Sequence, residues 1–450
     1  MSSVTMGFPK GGVHPPEEKE LSLGAELVIV TPPKKVIVPV TQHLGRPSAV
    51  VVNRGDEVVV GQVLAEATGP VSAAVHSPVS GKVLKIADGA VIGADRVPVI
   101  EIMNNGEDTG LDAFVQKTVS WKDKSSFLDW IRDAGVVGLG GATFPTHIKL
   151  MPPKDATVHT LIINGCECEP YLTADDTLMQ WKPAEVLAGC CIMAGVLGIS
   201  RILIGIEDNK PRAIEAMTVA AREGTYASFF DGDVPSFDVQ VHALKTRYPQ
   251  GAEKQLIDAL IHRKVGAGKL PFTAGVVVQN SGTAYAAFEA VAARKPLIDR
   301  VMTVTGKGVE KPGNFLVRIG TPISEVVNAA GGAKENLKAI IAGGPMMGKS
   351  VKTLELPVVK GTSGVLLLTG EEIEEYRERE CIRCGRCVEA CPVNLVPCDV
   401  AAFAEFRQWD RAGKAMECVE CGCCQYVCPA NRYLVLYNRL AKYHWRRLQK

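Results

Sequence analysis

The chain has 450 residues, of which 46% are hydrophobic, and it carries 50 Lys and Arg against 49 Asp and Glu. This length predicts roughly three domains of ~150 residues with real cores. The balanced charge gives no global field that would draw the protein to nucleic acid or to an anionic membrane. The N-terminus lacks the apolar core of a secretory signal, and the longest uncharged apolar run, residues 186–199, is shorter than the ~20 residues of a spanning helix. We therefore expect a multidomain cytoplasmic protein with no transmembrane segment of its own.

Residues 30–105 are rich in Val, Gly and Pro and alternate in the manner of short strands. The pattern resembles the barrel-sandwich fold of biotinyl and lipoyl carrier domains. The hairpin of those carriers displays a modifiable lysine, whereas the corresponding turn here, residues 67–71, reads Ala-Thr-Gly-Pro-Val. We interpret residues 30–105 as a structural module that follows an N-terminal extension, residues 1–29.

Helices alternate with apolar strands from residue 125 onward. The pattern predicts helices at residues 126–134, 183–197 and 210–222, and strands at residues 158–163, 201–206 and 276–279. Such alternation is typical of a largely parallel sheet with helices on both faces. We therefore expect a Rossmann-like α/β domain over residues 120–300.

Residues 301–370 return to β signals. The pattern predicts a strand at residues 301–305, a Lys-Pro-Gly-Asn turn at 311–314 and a short helix at 323–329. A small β-grasp domain, similar to an SLBB domain, fits this pattern. An acidic helix, residues 371–380, is expected to lead into a C-terminal domain, residues 371–450.

Two cysteine tracts in the C-terminal domain share the spacing C-x2-C-x2-C-x3-C-P. Their cysteines in this spacing are Cys381, Cys384, Cys387 and Cys391 in the first tract, and Cys418, Cys421, Cys424 and Cys428 in the second. In bacterial ferredoxins such runs hold [4Fe–4S] clusters, and the cysteine before proline ligates the cluster of the other tract. The sequence thus predicts two clusters, with Cys391 completing the second set and Cys428 the first. Uncrossed ligation remains the alternative.

Zinc is another interpretation, because structural zinc sites also use C-x2-C pairs. Zinc does not, however, require two four-cysteine runs that end in Cys-Pro. The two remaining cysteines of this domain, Cys398 and Cys423, are expected to be buried apolar thiols.

The segment between the tracts is longer than the link of a minimal two-cluster ferredoxin. Residues 399–409 predict a helix with Val400, Phe403 and Phe406 on one face. A helical ferredoxin-like module is therefore expected.

Two further stretches predict a cofactor site. GLGGATFPTHIK, residues 138–149, is a glycine-rich turn running into a helix, where bare backbone and free N–H groups accept a ring or an anion. NGCECEP, residues 164–170, follows the next strand and places an amide and two carboxylates at its carboxyl end, where open α/β sheets bind ligands.

The chain resembles the C subunits of Rnf complexes, membrane-bound ferredoxin:NAD oxidoreductases, from Gly-Gly-Val-His-Pro-Pro at residues 11–16 to the second cysteine tract. The resemblance includes both stretches above, YPQGAEKQL at 248–256, VVQNSGTAY at 277–285 and GGPMMG at 343–348. That family is similar to the flavoprotein subunit of respiratory complex I, which binds FMN and NADH. The resemblance implies that the flavin is contacted by Gly138, Gly140, Gly141, Lys149, Asn164, Asn280 and Thr283. It implies an NADH pocket with Phe144, Glu167, Glu169 and Glu253.

Three of these residues are expected to act on the reaction. Lys149 would stabilise negative charge on reduced flavin or its phosphate, and Glu167 and Glu169 would orient ribose and carboxamide groups. The alternatives are a surface lysine and a polar loop at a strand end. Three departures from the complex I pattern bear on the site, where Leu139 replaces an arginine, Cys166 an aspartate and Thr143 a glycine.

The expected function follows from the cofactor types. NAD(H) exchanges hydride, whereas an iron–sulfur cluster accepts one electron, and a flavin converts between the two. The resemblance implies a peripheral subunit of an ion-translocating oxidoreductase, at the cytoplasmic face of the membrane. Its partners would be the other Rnf subunits and, through them, ferredoxin. Its basic last residues, 438–450, either complement the helix dipole or offer a docking face for lipid headgroups or a membrane subunit.

Two other function classes remain as alternatives. Residues 343–350 satisfy the G-x4-G-K-[ST] pattern of nucleotide triphosphate loops, which would suit an ATP-driven iron–sulfur activator. That loop needs a helix directly after it, whereas residues 351–359 predict extended backbone. The other alternative is a cluster-bearing scaffold without a flavin.

Overall fold

Four folded units follow one another along the chain, and the computed structural model describes them over residues 6–232, 234–373 and 376–449. The segment before them spreads over the later units. Isolated bridges join Met6 to Leu244 and Val13 to Tyr248, and strand β1 (Val28–Ile29) pairs in parallel with a strand of the third unit.

The first unit is a sandwich of two small antiparallel sheets. Its strands are β2 (Lys35–Pro39), β3 (Ala49–Val50), β4 (Glu57–Val58), β5 (Val63–Glu66), β6 (Val75–His76), β7 (Gly81–Val91) and β8 (Ala94–Asn104). One sheet has the order β2-β8-β7-β4 and the other β3-β5-β6. Alternate residues point inward, so that Val36 lies opposite Ile102 and Val38 opposite Ile100 in a closed core. The predicted β-module is confirmed.

The second unit is the predicted α/β domain. Its elements are β9 (Val119–Ser120), α1 (Phe127–Asp133), α2 (Thr146–Lys149), β10 (Thr160–Asn164), α3 (Ala174–Trp181), α4 (Pro183–Leu197), β11 (Arg201–Glu207), α5 (Pro211–Glu223), β12 (Phe230–Asp231), β13 (Asp238–Leu244), α6 (Glu253–Ile261), β14 (Val276–Asn280) and α7 (Ser281–Ala292). The central sheet is parallel throughout, in the order β13-β11-β10-β14. All carboxyl ends therefore lie at one edge, and β10 and β14 are neighbours there.

Helix α4 is buried because its sequence is apolar on all sides. It packs so closely on α7 that a Cβ on Gly189 would lie 1.8 Å from the carbonyl oxygen of Ala284. This contact fixes α7, whose first residues lie at the carboxyl edge of the sheet.

The third unit is a mixed sheet with one helix, as expected of a β-grasp domain. Its elements are β15 (Asp299–Thr305), β16 (Gly313–Arg318), α8 (Ile323–Ala329), β17 (Leu337–Ala342), β18 (Lys349–Val351) and β19 (Gly364–Thr369). The strand order is β1-β16-β15-β19-β17-β18. The Gly-Gly-Pro-Met-Met-Gly loop leads directly into strand β18, so the extended backbone predicted after it is confirmed at its start.

The fourth unit contains α9 (Arg386–Glu389), α10 (Pro397–Glu405), α11 (Cys423–Tyr426) and α12 (Leu434–Leu448). Among the residues described, none of the helices is both long and apolar enough to cross a membrane.

The acidic helix predicted at residues 371–380 is wrong. A single 3-10 turn spans Gly370–Glu372, residues 376–380 are not helical, and residues 374 and 375 lie outside the described part. Repulsion among closely spaced carboxylates disfavours a helix here. The carboxylates also have partners elsewhere, since Glu372 accepts a hydrogen bond from the Thr369 N–H and Glu378 from the Tyr433 N–H.

The helix predicted at residues 399–409 ends early, at Glu405. Arg407 has a φ of 55°, a left-handed conformation that stops the helix, and the Gln408 N–H returns to the Phe403 carbonyl at 2.8 Å. As a result Phe406 is 73% exposed, and its predicted place on the packed face is wrong.

Candidate cofactor sites

The glycine-rich turn lies beside the carboxyl ends of β10 and β14. Asn164 and Asn280 end these two strands in register. The Leu139 N–H donates to the Thr283 Oγ1 at 2.9 Å, and a Cβ on Gly140 would lie 3.4 Å from the Cβ of Asn280. The fold thus brings together the stretches of the predicted flavin site.

Asparagine side chains organise this edge. The Asn280 Oδ1 accepts hydrogen bonds from the N–H groups of Gly282 (2.9 Å) and Thr283 (3.3 Å), so Asn280 is the N-cap of α7. The Asn164 Nδ2 donates to the Gly251 carbonyl at 2.7 Å, and its Oδ1 accepts from the Cys166 N–H at 3.1 Å. Both side chains are used to shape the loops around the edge.

The turn from Gly138 to Phe144 presents bare backbone to solvent. Two hydrogen bonds close it, from the Gly138 N–H to the Phe144 carbonyl (2.9 Å) and from the Thr143 N–H to the Gly138 carbonyl (3.1 Å). Within the described residues, the exposed N–H groups of Gly140, Gly141 and Ala142 have no hydrogen-bond partner. Free N–H groups next to the start of the 12-residue helix α7 fit an anionic group or a flavin ring.

Thr143 has an unusual backbone conformation in this turn, and a nearby glycine leaves room for its side chain. Its φ is 50°, which a β-branched residue rarely adopts. A Cβ on Gly361 would come within 2.7 Å of the Thr143 Cγ2, so the glycine provides the space. The Leu44 N–H of the sandwich unit donates to the Thr143 carbonyl at 3.2 Å and holds the turn from outside the α/β domain.

Lys149 at the end of α2 is paired. Its Nζ donates to the Glu253 Oε1 at 2.8 Å and to the Val278 carbonyl at 2.7 Å. The two charged side chains are 28% and 36% exposed, so the pair lies at an opening and not in the core. Phe144, which precedes α2 in the chain, is half-buried.

Both predicted catalytic carboxylates are engaged by backbone N–H groups. The oxygens of Glu167 accept from Asp175 N (2.9 Å) and Asp176 N (3.1 Å) at the start of α3. The oxygens of Glu169 accept from Met347 N (2.8 Å) and Met346 N (2.9 Å). Burial raises the pKa of Glu169 to about 7. These contacts favour roles in shaping the site over direct contact with NADH.

Lys19, which the sequence analysis did not identify, supports the segment of residues 167–172 that follows β10. The buried Lys19 Nζ donates to the carbonyls of Glu167 (2.9 Å), Glu169 (2.9 Å) and Leu172 (2.5 Å). Burial lowers the pKa of Lys19 to about 8. Lys19 and Glu167 are 148 residues apart in sequence, so no local pattern could predict this contact.

A fully buried ion pair lies at the carboxyl end of β11, the neighbour of β10 in the sheet. The Lys210 Nζ is 3.2 Å from the Glu207 Oε2, and both side chains are at most 1% exposed. The nearby Glu207 and Glu167 carboxylates raise the pKa of Lys210 against the effect of its burial. The pair was not predicted, because neither residue belongs to a motif.

One small cavity in the fourth unit is lined by the crossed cysteine set, Cys391, Cys418, Cys421 and Cys424. Four thiols around one cavity match the number of cysteine ligands of a [4Fe–4S] cluster. Cys423 is fully buried, as predicted, and its Sγ lies 3.9 Å from the Tyr248 carbonyl.

The other cysteine set is more open. Cys381 and Cys384 are exposed. Cys387 is buried, and its apolar cluster includes Cys428 and also Cys424 of the other set, so this cluster does not decide between crossed and uncrossed ligation. Cys398 belongs to the same cluster but is only half-buried.

The fourth unit packs on the α/β domain through the surroundings of the Cys391, Cys418, Cys421 and Cys424 cavity. The Tyr248 hydroxyl donates to the Cys421 carbonyl at 2.7 Å, and the Gln255 Nε2 donates to the Pro392 carbonyl at 3.0 Å. From the N-terminal segment, the Gly12 N–H donates to the Ala390 carbonyl at 2.9 Å. This cavity therefore lies against the segment of the α/β domain that also accepts the Asn164 hydrogen bond, at the Gly251 carbonyl.

Four known domain families match successive parts of the chain. They are the RnfC barrel sandwich hybrid domain at residues 8–107, the Nuo51 FMN-binding domain at 131–289, the SLBB domain at 301–350 and the 4Fe-4S dicluster domain at 380–432. The predicted fold and the predicted cofactors, FMN and [4Fe–4S] clusters, are thus confirmed.

A solved structure has a similar fold. The chain superposes on a chain of an NAD+-reducing [NiFe]-hydrogenase in the H2-reduced state with a TM-score of 0.51 and 20% identity. The match covers 71% of this chain and 60% of the other. At this identity the likeness concerns the fold alone.

Curated relatives match over most of the chain. The C subunit of the proton-translocating ferredoxin:NAD(+) oxidoreductase complex of Clostridium ljungdahlii is 45% identical over 86% of this chain and 82% of its own length. The C subunit of the Na(+)-translocating complex of Acetobacterium woodii is 41% identical over 91% and 90%, respectively. The C subunit of the ion-translocating oxidoreductase complex of Rhodobacter capsulatus is 40% identical over 87% and 74%. The chain therefore belongs to the RnfC family, the C subunits of ion-translocating ferredoxin:NAD(+) oxidoreductase complexes.

Proposed function

We propose that this protein exchanges hydride between NAD(H) and FMN, and single electrons between FMN and two [4Fe–4S] clusters, as a peripheral subunit of an Rnf complex. One observation carries the proposal. The cavity lined by Cys391, Cys418, Cys421 and Cys424 packs against the α/β domain at Tyr248, which donates to the Cys421 carbonyl, and the nearby Gly251 carbonyl accepts from Asn164 at the carboxyl end of β10.

FMN, when bound, supplies the conversion between two-electron and one-electron transfer. The chain's own part is positioning. The free N–H groups of Gly140 and Gly141 and the start of α7 would hold the anionic part of the cofactor. Lys149 would place positive charge beside it, while Asn164 and Asn280 keep the surrounding loops in place.

The two cysteine sets would act in sequence. The set completed by Cys391 lies against the α/β domain, and we assign it the cluster nearer to the flavin. The set completed by Cys428 includes the exposed Cys381 and Cys384, and we assign it the cluster that exchanges electrons with another protein of the complex. Electron transfer in either direction uses the same carriers, in opposite order.

Attachment at the cytoplasmic face of the membrane would come through the other Rnf subunits, which would also exchange electrons with ferredoxin and carry out ion translocation. Helix α12 suits such docking. Leu436, Leu440 and Tyr443 recur at helical spacing and are 51%, 38% and 55% exposed. Arg446 and Arg447 follow in its last turn.

The alternative of an ATP-driven activator conflicts with the position of Lys349. This lysine begins strand β18, and its Nζ would lie 2.2 Å from a Cβ on Gly93 of the sandwich unit. A lysine directed at another unit does not suit phosphate binding. We therefore expect no ATP hydrolysis from the wild-type protein or from Lys349→Ala. ATP hydrolysis by the wild type that is lost in Lys349→Ala would favour the activator.

NADH-dependent dye reduction tests the proposal against a flavin-free scaffold. The cluster-loaded chain should reduce an artificial acceptor with NADH only after FMN is added, at one FMN per chain. No FMN bound after reconstitution, together with no NADH-dependent dye reduction, would favour the scaffold.

A further inference from the structure

The Gly-Gly-Pro-Met-Met-Gly loop, residues 343–348, binds a carboxylate of its own chain. Its Met346 and Met347 N–H groups donate to the two oxygens of Glu169 at 2.9 and 2.8 Å. Gly344 makes this approach possible, since a Cβ there would lie 2.3 Å from the Glu169 Oε2. The loop uses adjacent N–H groups as a phosphate loop does, but its anion is Glu169.

The loop itself is held on both sides. The Gly343 N–H donates to the Gly364 carbonyl at the start of β19 (2.7 Å), and the Gly348 N–H donates to the Gly344 carbonyl (2.9 Å). The first bond ties the start of the loop to β19, and the second closes the loop on itself. The central N–H groups of Met346 and Met347 meet Glu169.

The other side of the loop touches the second cysteine tract. A Cβ on Gly422 would lie 3.1 Å from the Met346 carbonyl oxygen. The Met346 side chain packs in one apolar cluster with Tyr248, Cys421 and Cys423. Cys421 also lines the cysteine cavity. Met346 thus contacts Glu169 through its N–H group and packs with a predicted cluster ligand through its side chain.

We infer that Glu169 is a positioning residue that, through the loop of residues 343–348, holds the second cysteine tract in place relative to the turn of residues 164–170, which we name the NADH-side turn. Each oxygen of the Glu169 carboxylate accepts a hydrogen bond from the loop, so the carboxylate is directed at the loop and held there. The inference rests on the proposed function in one respect, namely that the second tract holds a cluster that exchanges electrons with the flavin.

The Glu169→Gln substitution tests this contact. Glutamine keeps one acceptor oxygen, and its NH2 group would face an N–H donor, so one hydrogen bond must be lost. In the cluster-loaded full chain, amide hydrogen exchange should become ~10- to 100-fold faster at whichever of Met346 and Met347 loses its acceptor, the factor expected for a charge-assisted hydrogen bond, and less so at the other.

Gly344→Ala is the second variant, because it displaces the Glu169 carboxylate while keeping its charge. It should speed exchange at the same two amides. Glu335→Gln and Gly370→Ala are the matched controls in the same unit, since Glu335 is exposed and a Cβ on Gly370 would meet only the Lys338 Cγ at 3.8 Å. Both controls should exchange as the wild type does.

A purely local structural role would leave the cluster unaffected. We expect both Glu169→Gln and Gly344→Ala to alter the electron paramagnetic resonance spectrum of the reduced cluster nearer to the flavin and to slow its reduction, without loss of iron. Normal exchange at Met346 and Met347, or an unchanged cluster spectrum in both variants, would overturn the inference. Failure of NADH to reduce the wild-type flavin would defeat the proposed function instead, because hydrogen exchange tests the contact without the redox reaction.

Discussion

The Lys149→Met substitution should separate cofactor binding from folding. The Lys149 Nζ bonds to the Glu253 Oε1 at 2.8 Å and to the Val278 carbonyl at 2.7 Å, at an opening where the two side chains are 28% and 36% exposed. Partly exposed pairs of this kind contribute only ~0.2–1 kcal/mol. The free energy of unfolding should therefore fall by less than about 1 kcal/mol.

The effect on FMN should be larger. A hydrogen bond from an ammonium to an anionic group contributes ~1.5–3 kcal/mol, so the Kd for FMN should rise roughly 10- to 100-fold. Quenching of FMN fluorescence on titration into the apo-flavin protein measures the Kd, and thermal unfolding measures stability. Lys352→Met, at an exposed lysine, is the matched control. An unchanged Kd for FMN in Lys149→Met would refute the assignment of Lys149 to the flavin site.

Buried groups give three further predictions. Lys210→Met should destabilise the protein by ~3–5 kcal/mol in denaturant unfolding, because it leaves the buried Glu207 carboxylate without its cationic partner and, among the described residues, with only the Arg247 N–H still donating to it. The double variant with Glu207→Leu should recover most of this loss, and a single variant as stable as the wild type would contradict the reasoning. Burial lowers the pKa of His76 from 6.5 to about 3. The unfolded chain therefore takes up a proton that the folded chain does not, and stability should fall as the pH drops from 6.5 towards 3. His76→Gln should flatten this part of the Tm–pH curve, and an equally steep decline in the variant would exclude His76 as its source. Finally, iron analysis should find one cluster lost in Cys424→Ala and both retained in Cys423→Ala, and the reverse result would overturn the choice of ligands.

Strand and helix patterns allowed most of the fold to be predicted. The parallel sheet follows from buried apolar runs such as β10 and β14, whose periodicity is local. The acidic segment at residues 371–380 failed because its carboxylates are used in tertiary contacts, such as the one from Tyr433 to Glu378. Likewise, no local pattern gave the left-handed residue Arg407 that ends α10.

The candidate site was predictable where motifs exist and not where partners come from distant sequence. The family pattern located Glu169, but its partner loop lies 177 residues later, and that loop by itself resembled a phosphate site. Lys19 belongs to no motif, yet it donates hydrogen bonds to the carbonyl groups of Glu167, Glu169 and Leu172, in the segment that follows β10. Long-range hydrogen bonds of this kind determine what each motif residue does.

Anaerobic titration of the fully loaded protein with NADH tests the central claim most directly. Flavin and iron are first counted, and flavin absorbance and the paramagnetic signal of reduced clusters are then followed together. We predict that NADH bleaches the flavin and that cluster signals follow in the same sample. A correctly loaded flavin that stays oxidised under excess NADH, or clusters that stay oxidised beside a reduced flavin, would contradict the account.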